Sequence, residues 1–552
     1  MANEIDMGSQ THQVFNQPPE LTGYNAYQKH RSLQQALQRG AASWAESMVN
    51  DYGELVTGEL REAGFIANQN PPEFYSHDRF GHRLDEVKYH PAYHQLMTAA
   101  IESGWPTLPW SQSQPGVHVA RTAMQYLHHQ ADSGTGCPLT MSFAVLPVIR
   151  QHLGIASSWE SLLIARSYDQ RNTPYFKKSG VTIGMGMTEK QGGTDVEMNT
   201  TSAAALGSRG PGESYEIIGH KWFMSAPMSD AFLMLAQTDK GLSCFLMPRW
   251  RPDGSRNQLY IQRLKNKLGN HSNASAEVEF RNAMAWLVGE EGHGVATILE
   301  MVALTRFDCM VASAALMRQA VVQALHHCQY RKVAGRYLID QPLMRNVLCD
   351  LIVESEAALL LAMRVATALD KAANQNEEKL LLRIATPIGK YWNCKRAPTH
   401  IYEAMECLGG GGYIEESVLP RIYREAPVNS IWEGSGNVQC LDVLRVMNRD
   451  KDCLEVLINE IKLAQGMDSQ FDQFLRRLEH ELSKKDDLEY RARRIVGFLA
   501  LALQASLFLR YGQAEAASCF CSLRLAASEQ QHLYGSLGNA AHNSAILSFA
   551  WP

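Results

Sequence analysis

Residues Leu408–Gln439 read LGGGGYIEESVLPRIYREAPVNSIWEGSGNVQ, with four consecutive glycines and then a glutamate between a tryptophan and a glycine. Glycine has no Cβ, so the backbone N–H groups of Gly409–Gly412 are open to a ligand such as a pyrophosphate. A carboxyl beside an indole is partly shielded from water, which raises its pKa and suits a general base near neutral pH. Each feature has an ordinary alternative: a tight turn between helices for the glycines, and a solvated helix-start residue for Glu433.

Length and composition indicate a globular protein of several domains. The 552 residues are too many for one ordinary core, and 45% are hydrophobic and 20% charged. A net charge of −5 excludes a globally basic nucleic-acid binder, although not a local basic face. Met1–Gln10 shows no secretory signal, and the longest apolar run, Ile495–Leu509, predicts a buried helix because it is too short to span a membrane. Eleven scattered cysteines without zinc spacing predict reduced thiols in the cytoplasm.

The N-terminal third predicts an arm followed by an α-helical domain. Residues 1–20 are interpreted as the arm. Pro72 predicts a helix that starts at Glu73, while Asp85–Met97 and Thr140–Leu153 carry apolar residues at helical spacing. The histidines of this region follow no metal-binding motif and are interpreted as ordinary core or surface residues: His90, His94, His128, His129 and His152.

The pattern changes to short β-strands at Val181. The predicted strands are Tyr215–Ile218, Ala231–Gln237, Leu242–Met247 and Ala276–Phe280. Because the links between them are turns, the region predicts an antiparallel barrel or sandwich rather than a doubly wound parallel sheet. It lacks a strand–GxGxxG–helix unit, which argues against a Rossmann nucleotide site.

Long amphipathic helices are predicted for Met301–Gln329, Pro342–Ala372 and Leu380–Leu408, and these would form a bundle. A polar stretch near Asn448 marks a further boundary. The predicted fold class is therefore α+β, in this order: an N-terminal arm and α domain (1–180), an antiparallel β-barrel or sandwich domain (181–290), a four-helix-bundle domain (291–448) and an extra C-terminal helical domain (449–552).

Several other segments combine residue types that suit a ligand. In Met187–Asp195, MTEKQGGTD, two hydroxyls flank a Gly-Gly turn, and in Gly219–Ser225, GHKWFMS, an aromatic pair precedes a hydroxyl. A capped β-turn and ordinary core packing are the respective alternatives. The remaining segments are Lys267–Asn270, Val288–Gly292, Thr305–Phe307 and Arg331.

In this order and spacing, the segments resemble the acyl-CoA dehydrogenase family over roughly residues 90–447. The stretches GMGMTEKQGGTD, LGNHSNASAEVEF, TRFDC and PVNSIWEGSGN, with the long tail, resemble the subgroup of that family that acts in the adaptive response to DNA alkylation. The resemblance implies the acyl-CoA dehydrogenase fold, FAD, a homotetramer and weak dehydrogenase activity on acyl-CoA of the isovaleryl-CoA type. It also implies that the C-terminal domain binds duplex DNA, and that the protein protects this DNA or inactivates alkylating agents.

The resemblance also implies roles for single residues. Glu433 matches the catalytic base and Arg306 an arginine beside it. Residues that match FAD contacts are Met187, Thr188, Gly193, Thr194, Phe223 (usually Trp in the family), Met224, Ser225, Ile431, Gly434, Ser435 and Asn437. Arg331, Gly409, Gly410 and Gly411 match residues that reach the FAD of a neighbouring subunit.

The charge of the tail leaves its role open. Residues 450–552 contain eleven Lys or Arg and thirteen Asp or Glu, so the segment is not basic as a whole. The local basic cluster that would meet DNA is Arg476, Arg477, Lys484, Lys485, Arg491, Arg493 and Arg494. A salt-bridged pair of solvated helices explains the same charges. Two other functions remain open: an ordinary acyl-CoA dehydrogenase for a short or branched acyl chain, and a flavin-stabilised scaffold without chemistry.

Overall fold

The structure is a computed structural model that describes residues 11–526 and 542–550. Met1–Gln10, half of the predicted arm, therefore lies outside the described residues. The other half is held against the body of the protein. Asn16 Nδ2 donates to the carbonyl of Lys332 (2.9 Å), and Asn16 Oδ1 accepts the N–H of the same residue (2.6 Å).

The N-terminal region is mainly helical, as predicted, but it contains a β-hairpin. The apolar residues of α1–α4 and α6 lie in a core that is continuous with the C-terminal bundle, whereas α7 and α8 pack mainly in a second core with strands of the middle region and the start of α9. The elements are α1 Arg31–Arg39, α2 Glu46–Thr57, α3 Glu59–Gln69, β1 Glu73–His77, β2 Arg83–Lys88, α4 Pro91–Ser103, α5 Leu108–Ser111, α6 Val117–Ala131, α7 Gly136–Arg150 and α8 Leu153–Leu163.

The predicted helix start at Glu73 is wrong, because β1 and β2 form an antiparallel hairpin there. Asp78 accepts backbone N–H groups of the turn, and Gly81 has a φ of +87°, which favours glycine. Val87 on β2 is buried in the core of the adjacent sheet, so a tertiary contact overrides the local helical spacing. The helix predicted from residue 85 consequently begins only at Pro91.

The middle region forms a closed, mostly antiparallel sheet. Its strands are β3 Ile183–Gly186, β4 Ser202–Ala205, β5 Ser214–Ser225, β6 Ala231–Thr238, β7 Gly241–Pro248, β8 Leu259–Leu264 and β9 Ser275–Val288. Pairing runs β6–β7–β9–β5–β4 and returns to β6, with β8 on β9. The four predicted strands lie in β5, β6, β7 and β9. The contacts of β6 with β3 and β4 are parallel and were not predicted.

Three long helices form the bundle, as predicted, and three shorter ones follow them. The elements are α9 Gly294–Tyr330, a hairpin of β10 Lys332–Val333 and β11 Arg336–Tyr337, α10 Pro342–Lys371, α11 Asn376–Cys407, α12 Gly410–Tyr413, α13 Val418–Asn429 and α14 Gly436–Arg449. None of the eleven cysteines forms a disulfide bond.

Within its described residues, the tail adds five helices that pack on the bundle and share its core: α15 Lys451–Lys462, α16 Ser469–Ser483, α17 Ala492–Tyr511, α18 Ala514–Arg524 and α19 Asn543–Ala550. Among the described residues, α17 has the length and apolar composition of a membrane span. However, 72% of its apolar window is buried inside the protein, which is typical of a core helix.

Candidate active site between the barrel and the bundle

Glu433 lies in the turn that joins α13 to α14, in a backbone conformation that is uncommon for a residue with a side chain. Its φ is +58° and that of Gly434 is +95°, and the left-handed region costs a non-glycine residue about 1–2 kcal/mol. Three side chains hold the carbonyls of this turn. Arg306 Nε donates to the carbonyl of Glu433 (2.9 Å), and both Lys390 Nζ (2.8 Å) and Gln439 Nε2 (2.9 Å) donate to that of Gly434.

The carboxyl of Glu433 is set up as a weak acid. Burial raises its pKa, while a hydrogen bond from Thr305 Oγ1 to Oε2 (2.7 Å) and the charges of Lys390 and Arg306 lower it. Arg306 also pairs with Asp442 (3.1 Å), so its charge is shared with a second carboxylate. Glu433 therefore has a raised pKa, is held in place, and forms no ion pair with a neighbouring side chain among the described residues. Such a carboxylate is suited to accept a proton.

The predicted ligand-binding segments of the barrel lie side by side. The carbonyl of Thr188 accepts the N–H of Trp222 (2.8 Å), which joins the loop after β3 to β5. Gly193 approaches Thr188 so closely that a Cβ there would lie 2.4 Å from the threonine hydroxyl oxygen. Thr194 is exposed, and Met187 is partly buried against the core that α7, α8 and α9 share with β3, β6 and β7. The two threonine hydroxyls therefore flank a turn on which only glycine fits, as a ligand-binding loop requires.

The end of β5 presents alternate side chains to different environments. Phe223 is 48% exposed, with Lys265 Nζ 4.6 Å from its ring centroid. Met224 points the other way and is fully buried in the barrel core, so its side chain does not face a ligand on the Phe223 side. Ser225 is partly exposed, and its hydroxyl lies 3.1 Å from that of Ser275.

Cys137, at the start of α7, connects the barrel segment to the candidate base. Its partly exposed thiol lies near the Ser225 hydroxyl, which lowers the pKa of the thiol, and near Glu433, whose charge raises it. Burial raises the pKa of this thiol to about 12, with Glu433 adding to the rise and Lys267 opposing it. α7, β5 and the turn before α14 therefore bring Cys137, Ser225 and Glu433 near one another, and the side of the candidate site formed by Cys137 and Ser225 is called the pocket wall below.

Other predicted contacts lie at the opposite end of the bundle. Arg331 follows the last residue of α9, about 37 Å along the helix from Thr305 at a rise of 1.5 Å per residue. Cys328 near that end contacts the carbonyl of Cys407, at the end of the helix that precedes the glycine run. Arg331 and Gly409–Gly411 are thus close to each other and remote from Glu433. In this chain Arg331 Nη1 donates to the carbonyl of Asn16 (2.9 Å).

A Cβ added at Gly410 or Gly411 would meet nothing within 4 Å, and neither residue has a positive φ. Contacts inside this chain therefore do not require glycine at these two positions. Gly409 differs, because its φ is +59°. Backbone open to this degree is accessible to a ligand or a second chain.

The residues around the base that were matched to FAD contacts surround the N-terminus of α14. Ile431 and Ser435 are exposed, and Ser435 is the residue that precedes the helix. Asn437 is also exposed, and its Oδ1 accepts a hydrogen bond from Arg493 Nε (2.8 Å). The tail therefore contacts the candidate ligand site directly, through a residue of the predicted DNA-binding cluster.

Several residues of the predicted DNA-binding cluster are engaged within the protein. Glu481 is the shared partner of Lys484, Arg491 and Arg494, at 3.4–3.5 Å. Arg477 Nη1 donates to the carbonyl of Leu525 (2.9 Å). Arg476 and Lys485 are exposed. The structure therefore does not bring the seven residues together as one free basic strip.

Sequence reasoning missed the residues that complete the site. Lys390 fixes the turn of Glu433, yet a single lysine in a helix belongs to no motif. The sequence does show that Lys390 lies four residues after Thr386 and four before Cys394, on the side of the helix that is buried. Cys137 and Ser275 come from elements far apart in the chain, and no sequence spacing links them. Among the described residues, no group of three or more potential metal ligands occurs.

Comparison with known families defines the class of the protein. Residues 184–283 match the family model of the acyl-CoA dehydrogenase middle domain, and residues 292–448 match that of its C-terminal domain. Residues 16–170 match the model described as the adaptive response protein AidB N-terminal domain. These three matches follow the order of helices, barrel and bundle described above.

Individual relatives agree with this result. The putative acyl-CoA dehydrogenase AidB of Escherichia coli (strain K12) is 46% identical over 94% of this chain and 95% of its own length. Caenorhabditis elegans ACDH-11 in complex with C11-CoA superposes with a TM-score of 0.85 at 25% identity, over 94% of each chain. A glutaryl-CoA dehydrogenase from Mycobacterium smegmatis in complex with FADH2 has a TM-score of 0.60 at 17% identity, over 76% of this chain and 98% of its own, which shows the fold alone. The chain belongs to the acyl-CoA dehydrogenase family, in its AidB subgroup.

Proposed function

We propose that the protein binds FAD and removes the α-proton of an acyl-CoA thioester with Glu433. The observation that carries this proposal is the environment of Glu433. Burial makes its carboxyl a weaker acid, and three donors hold the backbone of its strained turn. The carboxyl lies near Cys137, which Ser225 also contacts. Acyl-CoA dehydrogenases generally bind FAD. The Gly193 turn and the partly exposed hydroxyls of Thr188 and Ser225 fit such a group.

Each residue has a defined task in this mechanism. Glu433 takes the proton as the carboxylate, so it must be ionised when substrate binds. Thr305 keeps Oε2 hydrogen-bonded, which leaves Oε1 for the substrate, and Arg306 and Lys390 hold the backbone that aims the carboxyl. FAD, when bound, supplies the acceptor for the hydride from the neighbouring carbon. The residues that would hold it near the base are Met187, Thr188, Gly193, Thr194, Phe223 and Ser225.

We also propose a homotetramer, which the positions of the two groups of cofactor residues support. Arg331 lies about 37 Å along α9 from Thr305, which contacts Glu433, and Gly409–Gly411 lie near the Arg331 end. One FAD molecule bound at the base of one subunit would then meet the distal group of a second subunit. Gly410 and Gly411, which have no neighbour within 4 Å of an added Cβ, support this arrangement.

We further propose that the protein acts in the cytoplasm in the response to DNA alkylation, where it binds duplex DNA and protects it or inactivates alkylating agents. The match to the adaptive response AidB domain and the exposed side chains of Arg476 and Lys485 support this role. Dehydrogenation would then be weak, with a substrate of the isovaleryl-CoA type. The alternative is an ordinary dehydrogenase for a short or branched acyl-CoA, with the same base.

Replacement of the base tests the proposed chemistry. Glu433→Gln should slow the reduction of FAD by acyl-CoA by a factor of about 10²–10⁴, because general-base catalysis contributes that much. Reduction of bound FAD by a panel of acyl-CoA esters is followed by visible absorbance. Glu416→Gln, a change at an exposed carboxyl, is the control and should retain full activity. Retained turnover in the Glu433→Gln protein would reject the assignment, whereas fast reduction by a single ester in the wild type would favour the ordinary dehydrogenase.

A further inference from the structure

Lys267 is a partly buried lysine in the loop between β8 and β9, and the chemistry described above does not use it. Its Nζ donates to the carbonyl of Asn273 (2.7 Å), to Ser275 Oγ (3.3 Å) and, more weakly, to Asn270 Oδ1 (3.4 Å). Ser275 Oγ in turn lies 3.1 Å from Ser225 Oγ. Two hydroxyls therefore connect an ammonium group to the pocket wall.

The ammonium group favours one direction for this chain of hydrogen bonds. A lysine ammonium only donates, so Ser275 Oγ accepts from it. A hydroxyl that accepts from a cation is a stronger donor, which favours donation of the Ser275 proton to Ser225. Ser225 Oγ then accepts that proton, so its own O–H points away from Ser275, toward Cys137 or toward a ligand bound beside it. We propose that Lys267 is a positioning residue that acts through Ser275 to present Ser225 as a hydrogen-bond donor to a ligand in the pocket. This inference rests on the proposed function, because Ser225 is a candidate FAD contact.

The groups around Lys267 explain how its charge is kept and when it is lost. Burial lowers the pKa of Lys267 to about 8, while Cys137 from α7 and Glu425 from α13 oppose the shift. Glu425 is held by the N–H and side-chain amide of Asn270 (2.6 and 2.8 Å). The strands β5 and β9 face the lysine with hydroxyls, and its own loop adds His271, whose ring contacts the carbonyl of Lys267. The hydrogen-bonded chain Lys267–Ser275–Ser225 is called the relay. Below about pH 8 Lys267 is charged and the Ser225 O–H therefore points away from Ser275, whereas above this pH Lys267 no longer sets that orientation.

The first test needs no cofactor, because Lys267 also lowers the pKa of the Cys137 thiol. Alkylation of Cys137 by iodoacetamide at pH 7.5 is timed by peptide mass spectrometry, with the partly exposed Cys519 as the internal standard. Lys267→Met should slow labelling of Cys137 about tenfold, the change in thiolate fraction for one pKa unit. Lys267→Arg should retain the rate. The control Lys178→Met removes a buried lysine that pairs with Asp230 elsewhere, and it should leave the rate unchanged.

The second test uses the protein loaded with FAD. The midpoint potential of the flavin is measured from pH 6.5 to 9.5, and it should show a break near pH 8 in the wild type and the Lys178→Met protein. Lys267→Met and Ser275→Ala should both abolish the break; the second change keeps the lysine and tests the relay if the first fails to fold.

The two tests separate this inference from the proposed function. A break that persists in Ser275→Ala would overturn the relay, as would wild-type labelling of Cys137 in a folded Lys267→Met protein. If the wild type does not bind FAD, the proposed function fails, and the labelling rates still decide whether the charge of Lys267 reaches the pocket wall.

Discussion

The hydroxyl of Thr305 makes the hydrogen bond from α9 to the carboxyl of Glu433, and it thereby tunes the candidate base. Because this bond stabilises the carboxylate, Thr305→Val should raise the pKa of Glu433 further. A hydrogen bond to a charged group is worth roughly 1.5–3 kcal/mol, so a shift of about one pKa unit is expected. The rising limb of the pH–rate profile should move to higher pH by that amount.

The control for this change is Thr367→Val, which removes a hydroxyl that bonds within α10. It should leave the pH profile in place. An unshifted limb in the Thr305→Val protein would mean that Glu433 is not the group whose ionisation limits the reaction.

Glu433 and Arg306 could be singled out because each belongs to a short motif, an acidic residue before Gly-Ser-Gly and a Thr-Arg-Phe triplet, and the structure places them in contact. Cys137 and Ser275 could not. They contribute one polar atom each, and they meet at Ser225 only when α7 is packed on the barrel. When a site takes single residues from separate elements, their separation along the chain follows no fixed pattern, so the sequence alone does not predict the site.

At the scale of elements, Lys390 joins α11 to the turn between α13 and α14. Lys390→Met would remove the charged donor from the carbonyls of Trp432 and Gly434. The carbonyl of Gly434 would still accept a hydrogen bond from Gln439. A loss of about 2 kcal/mol in the free energy of unfolding is expected, because these hydrogen bonds outweigh the gain from no longer burying an ammonium group. Denaturant unfolding measures it. Lys379→Met, at an exposed position of the same helix, should change stability by less than about 0.5 kcal/mol.

Asp370 near the end of α10 joins the bundle to the first turn of α6. Its carboxylate accepts the N–H groups of His118 (2.7 Å) and Val119 (3.0 Å), yet burial outweighs them and raises its pKa to about 6. Between about pH 4 and 6 the folded protein therefore binds more protons at this site than the unfolded chain, so its contribution to stability falls as pH rises.

Replacing this carboxyl removes that contribution. The difference in unfolding free energy between Asp370→Asn and the wild type should change steadily from about pH 4 to 6, in favour of the variant at the higher pH, and level off above it. Denaturant unfolding across this range is the measurement, with Asp452→Asn, at an exposed position, as the control. A difference that does not vary with pH would show that Asp370 titrates at its ordinary value.

The elements themselves were largely predictable where periodicity was long, as in α9, α10 and α11, and less so where it was short. The hairpin of β1 and β2 was mistaken for a helix because its apolar side chains pack on the barrel, a contact that the local sequence does not encode. The parallel contacts of β6 with β3 and β4 also depend on distant partners.

At the scale of the whole molecule, salt bridges join the tail to the bundle, in addition to the hydrophobic core that they share. Arg510 on α17 and Arg364 on α10 both pair with Glu460 on α15, at 2.6 and 2.9 Å. Arg524 on α18 pairs with Glu354 on α10 (2.8 Å). With the hydrogen bond from Arg493 to Asn437 in the first turn of α14, these contacts place the tail beside the candidate cofactor site, so a change in the tail can also disturb that site.

A test of DNA binding must therefore use basic residues that have no structural task. Reversal of Arg491 or Arg494 would place a new carboxylate beside Glu481 and disturb the tail itself. Arg476 and Lys485 are exposed, and the double change Arg476→Glu and Lys485→Glu should weaken duplex binding. It should also lower the slope of log K against log salt by about 0.9 for each phosphate that the protein no longer neutralises.

The matched control reverses Arg79 and Lys88, two exposed residues of the β1–β2 hairpin region, and changes the net charge by the same amount. Gel retardation of a duplex over a series of salt concentrations compares the two proteins, and the visible spectrum of bound FAD reports whether the cofactor site is intact. If Arg476 and Lys485 contact phosphates, their reversal alone should flatten the salt dependence, since direct phosphate contacts rather than net charge release the counterions. Equal weakening by both double changes would contradict a DNA site on this face of the tail.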